Sequence, residues 1–198
     1  MFSTLPKLVA LGLLCCLCGC HSAKPITAAS ANRTPPSTSS KNSFDLATRD
    51  NSLVLLSDLL NDEKKLRLIL LIKRETPELK RLVKGISNAA SEGAKMLKAR
   101  MKDDPAFKGA KPQLPPGEEA TRKAIAKTKE SLLLHTKGEE FEFQILLTQA
   151  EALGYGTHLA LVAAANEPDA ARAQQLSNLS AELELLSQQV LAMLRSKP

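Results

Sequence analysis

The sequence predicts an all-α protein: an up-down bundle of four long helices, with a shorter helix in the crossover. Three observations predict it. Hydrophobic residues make up 43% of the 198-residue chain, yet aromatics make up only 3%, with no Trp and one Tyr. A core of Leu, Ala, Ile and Val suits packed helices better than sheets, where aromatic and β-branched residues collect. Apolar residues recur at three- and four-residue steps over long stretches, without a convincing two-residue alternation. Pro sits between those stretches rather than within them, at Thr76-Pro77, Pro105–Pro116 and Asn166-Glu-Pro168.

Residues 1–19 read as a secretory leader. Lys7 is its one charged side chain, and an apolar run follows from Leu8 to Leu17. Ten helical residues span about 15 Å, half of a bilayer core, so the run suits a signal peptide better than a transmembrane anchor. Leu17-Cys-Gly-Cys20 then has the pattern of a lipobox, with small groups before the cut and a thiol to carry diacylglycerol. Each buried CH₂ of an acyl chain adds about 0.8 kcal/mol of membrane affinity. Cys15, Cys16 and Cys18 leave with the leader, so Cys20 is the mature chain's single thiol and no internal disulfide can form. His21 follows it, and by resemblance to Gram-negative lipoprotein sorting a residue other than Asp there leans toward the outer membrane.

Residues 20–43 form the lipidated Cys and a disordered linker, rich in Ser, Thr, Ala, Asn and Pro. Its average reach is near 25 Å. The bundle domain covers 44–198. Helix one starts near Phe44, with Leu56, Leu59, Glu63, Leu66 and Leu70 in register, and runs to Thr76-Pro77, a stop followed by an N-cap and a first-turn Pro. Helix two carries Leu79, Leu82, Val83, Ile86, Ala89, Ala90, Gly93, Met96 and Leu97 on one face and closes at Asp104-Pro105. Residues 105–117 are a loop, and a shorter helix covers 118–133. Thr136-Lys-Gly-Glu139 resembles a capping box. Helix three runs from Gly138 to Ala165, with Gly154-Tyr-Gly156 marking a close contact or a kink. Helix four follows Asn166-Glu-Pro168 with the seam Leu176, Leu179, Leu183, Leu186, Val190 and Met193.

The formal charge is +6; without the leader 26 basic and 21 acidic residues remain. Residues 41–111 carry sixteen basic and ten acidic groups, against eight and eleven in 112–198. Lys64-Lys65, Lys73-Arg74, Lys80, Arg81 and Lys84, with Lys95, Lys98, Arg100 and Lys102, outline a basic surface on the first helical pair. An anionic membrane face or a cell-wall polymer fits it, and so does a plain solvated helix face. Export and the shortage of stacking aromatics argue against nucleic acid.

These elements resemble a family of ferritin-like bacterial envelope proteins of unassigned function, over about residues 48–194. Thr76-Pro-Glu-Leu-Lys-Arg-Leu-Val83 is similar to its turn between helices one and two, and Gly138-Glu-Glu-Phe-Glu142 to its opening of helix three. The resemblance implies a ferritin-like bundle with a metal site built from a Glu on helix one, an Asp-His pair on helix two and one His on each of helices three and four. In that register the Glu is kept as Glu63. The Asp-His pair falls on Ala89 and Ala90, and the two His positions fall on Leu153 and Glu182.

No Glu-x-x-His pair is present, and the three His are His21, His135 and His158. Glu63 and Glu182 are the remaining metal candidates, and two carboxylates without imidazole make a weak transition-metal site. Glu63 reads as well as a partly buried carboxylate paired with Lys or Arg, or as a residue at the edge of the apolar stripe. Glu139, Glu140 and Glu142 are explained by the helix dipole. Catalytic motifs are missing: Ser and Thr gather in the linker and at helix ends, and there is no Gly-rich phosphate loop. The expectation is a non-enzymatic envelope lipoprotein without a cofactor. It is held to the membrane, most simply the periplasmic face of the outer membrane, by lipid on Cys20. Its partner is another envelope protein, a cell-wall polymer or a lipid head group. The alternatives are a metal-binding or stress-related bundle using Glu63 and Glu182, and a bundle holding a small apolar ligand.

Overall fold

The computed structural model describes residues 44–102, 107 and 111–197. The expected leader, Cys20 and the linker lie outside them. The protein is all-α. Its elements are α1 (Leu46–Glu63), a 3-10 turn (Leu66–Leu71), α2 (Pro77–Met101), α3 (Glu118–His135), α4 (Gly138–Ala165) and α5 (Ala170–Arg195).

Three helices start on side-chain caps. Asp45, Thr76 and Asp169 accept from the backbone N–H groups of Thr48, Leu79 and Arg172, meeting donors that a helix start leaves unpaired. Pro77 occupies the first turn of α2, as the sequence predicts. α3 starts instead from Gly117, whose φ of +84° favours glycine.

Four helices share the core. Ser87 Oγ on α2 donates to Lys64 O just past α1 at 2.5 Å, and a Cβ on Gly93 would meet Leu60 Cδ1 of α1 at 2.9 Å, so α1 and α2 run in opposite directions. Gly156 on α4 packs against Leu59 of α1 and Leu183 of α5, while Asp45 N–H donates to Asn166 Oδ1 at the far end. α5 opposes both α4, through Ser180 Oγ donating to Thr157 O at 3.1 Å, and α2, through Gly93 against Leu179 and Gly85 against Leu186. The order of directions is up, down, down, up. The connection between α2 and α4 must therefore return along the length of the molecule, and α3 lies in it. α4 sits between α1 and α5 and buries a broad face from Phe141 to Ala163, whereas α3 buries only Ala126 and Leu133.

The structure corrects three boundaries. Helix one does not reach Thr76: α1 ends at Glu63, where Ser87 accepts the role of partner to an orphan carbonyl, and a 3-10 turn follows. The capping box at Thr136–Glu139 does not form. Thr136 closes α3, its N–H and Oγ1 both donating to Leu132 O, and Lys137 precedes α4 without a side-chain cap. Asp169, rather than a residue of Asn166-Glu-Pro168, caps the last helix.

Candidate functional site

The interior was the expected place for chemistry, and Glu63 is its one expected member that is there. Glu63 is 2% exposed, at the last turn of α1. Burial pushes its carboxyl up to about 7; the Gln149 amide, from α4, draws it back down and Asp62 adds a smaller upward push. Neither Glu63 oxygen, and neither polar atom of the equally buried Gln149, reaches a partner with full hydrogen-bond geometry among the described residues. No Lys or Arg pairs with Glu63 there, so the expected ion pair is corrected to a carboxyl facing an amide. At neutral pH such a group is poised between its two charge states.

The other positions expected from the resemblance do not join it. Ala89, Ala90 and Leu153 are buried and bring no donor atom. Glu182 is exposed on the outer side of α5, between the buried Leu179 and Leu183, so Glu63 and Glu182 do not converge. His158 is exposed, its Nδ1–H donating to Gly154 O at 2.8 Å, and His135 is exposed beside Ser131 O. Among the described residues no group of three His, Cys, Asp or Glu side chains could hold a metal. This donor set does not fit a di-iron centre, which needs carboxylates and imidazoles projecting inward from facing helices.

Two charged clusters are invisible in the sequence. The Glu167 side chain is wholly buried in the α4–α5 turn, and Arg49 of α1, Arg100 of α2 and Arg172 of α5 converge on it. Its Oε1 also accepts from Asp169 N–H at 3.1 Å. Burial, then the neighbouring Arg172 and Arg49, hold the Arg100 guanidinium below its ordinary value. At the other end Glu142 accepts from Thr76 N–H at 2.6 Å and from Lys197. Burial pushes its carboxyl up, but those donors outweigh it and hold the group below the usual range. No spacing rule links residues so distant in sequence, so only the fold could reveal either cluster.

The basic residues form a real exposed row. Lys80, Lys84, Lys95 and Lys98 fall on one face of α2, with Arg81 at its edge. Three are already paired: Lys80 with Glu75 at 3.8 Å, Arg81 with Glu78 at 3.0 Å and Lys95 with Glu92 at 4.0 Å. A cleft of about 400 Å³ lies between α3 and the α1–α4 face, lined by Leu55, Leu59, Leu114 and Tyr155 with Asp58, Asp62 and Arg122. It is a surface feature beside α3, not a cavity among the four core helices. None of the helices is long and apolar enough to cross a membrane, among the described residues. No protein-family model matches the chain, and no curated protein or solved structure matches it.

Proposed function

We propose that this chain is a lipid-anchored protein of the bacterial envelope whose domain is a ferritin-like four-helix bundle acting as a non-enzymatic scaffold. The single observation that carries the reading is the filling of the interior: Ala89, Ala90 and Leu153 occupy ligand positions with aliphatic groups, and Glu63 is left facing an amide. The up-down-down-up order of α1, α2, α4 and α5, with one long crossover, is the connectivity of ferritin-like bundles. Leu17-Cys-Gly-Cys20 supplies the anchor, and the periplasmic face of the outer membrane is the location that suits it. The exposed cations suit an anionic envelope component.

Metal analysis of the purified protein tests the scaffold. Traces of metal that do not change in Glu63→Ala are expected. One equivalent or more of iron, manganese or zinc, lost in Glu63→Ala, overturns it. Incorporation of labelled palmitate tests the anchor, which is wrong if Cys20→Ser takes up as much label as the parent.

A further inference from the structure

We infer that the turn between α1 and α2, residues 64–74, is a wedge that docks on an anionic lipid surface. It reads Lys-Lys-Leu-Arg-Leu-Ile-Leu-Leu-Ile-Lys-Arg, five cations with no acid among them. The 3-10 geometry repeats every three residues. Leu66 and Ile69 therefore turn into the core, and Leu68 and Leu71 turn out. Leu71 is 79% exposed and Ile72 53%, the two most exposed large hydrophobics near this end of the molecule.

The charge around these side chains is only partly compensated. Arg67 and Arg74 are exposed and pair with no carboxylate among the described residues. The nearest acids are occupied: Asp62 by Lys65 at 3.4 Å and Glu75 by Lys80. Lys73 Nζ donates to Leu134 O and Thr136 O at 2.7 Å each, which fixes the turn against the α3–α4 junction. An apolar tip inside a cationic rim matches a membrane interface, where aliphatic groups enter the acyl boundary and the charges stay at phosphate level. It does not match a second copy of this chain, which would set five cations against five.

The inference deepens the proposed function and rests on it only for the presence of a membrane. The test uses the full chain with Cys15, Cys16, Cys18 and Cys20 each changed to Ser, so that no lipid can attach. Leu71→Cys carries a nitrobenzoxadiazole dye, and a parallel chain carries it at Leu185→Cys, an exposed site on α5. Phosphatidylglycerol-containing vesicles are compared with pure phosphatidylcholine. The dye at 71 is expected to shift to the blue on the anionic vesicles, less so in high salt, while the dye at 185 does not. Arg67→Glu with Arg74→Glu, its helix content unchanged by circular dichroism, lowers partitioning at least roughly 30-fold. No shift at 71, an equal shift at 185, or a shift that survives charge reversal overturns the wedge. A shift that grows with protein concentration without vesicles overturns it in favour of self-association. Failure of palmitate labelling with a shift at 71 removes the anchor and keeps the wedge; the reverse removes the wedge alone.

Discussion

At the scale of single residues, two buried carboxyl groups make opposite demands. The folded chain holds the Glu63 proton up to about pH 7, whereas an ordinary glutamate releases it near 4.5. Between those values the folded state binds more protons than the unfolded one, so stability falls as pH rises through that window and stays low above it. The loss is roughly 3 kcal/mol. Glu63→Gln should remove this slope and raise stability at about pH 8; urea unfolding of both proteins at about pH 5 and pH 8 measures it, and an unchanged slope refutes the assignment. Glu167 is the other case, a buried carboxylate on which three guanidinium groups converge. Glu167→Gln removes the buried charge among those cations, leaving Arg49 only Asp50 and Arg172 only Asp169 as acid partners, and should cost about 3–5 kcal/mol in the same experiment. Glu63 was legible in the sequence because it interrupts an apolar seam. Glu167 was not, since Glu before Pro reads as a helix start and its arginines lie on three separate helices.

At the scale of elements, the glycines of α4 and α2 separate two jobs that look alike in sequence. A Cβ on Gly154 would meet nothing within 4 Å. Gly154→Ala should therefore stabilise the protein by about 1 kcal/mol through helix propensity alone. A Cβ on Gly93 would lie 2.9 Å from Leu60 Cδ1 and 3.0 Å from Leu179 Cδ1, so Gly93→Ala forces both leucines aside and should lower stability by roughly 1 kcal/mol. Thermal melts of the two variants should move in opposite directions. α2, α4 and α5 were legible because each is long and bounded by a cap or a Pro. The end of α1 was not: a leucine-rich run fits a helical seam and a 3-10 turn equally well by pattern. What decides is Ser87, a hydroxyl on the next helix, bonding a carbonyl that a continued helix would have used itself.

At the scale of the whole molecule, the two ends are built differently. One is closed by Glu167 and its arginines, and there Asp45 N–H is tied to Asn166. The other carries the exposed Leu68, Leu71 and Ile72 among cations. The all-α class and the helix order were legible in composition and periodicity; the directions of packing came only from which side chains meet across the core. The chain joins the domain at the Glu167 end, and the 18 residues of α1 set about 27 Å between that junction and the 64–74 turn. A lipid on Cys20 and an embedded Leu71 would thus pull on opposite poles. Twenty-four residues at full stretch cover roughly 80 Å, enough slack for the rod to capsize and rest both poles on one leaflet. Excising residues 24–39 leaves about eight, or roughly 27 Å. The leash would then have no slack over the roughly 27 Å of α1, and the greasy tip could reach its own bilayer only with the domain lying on its side.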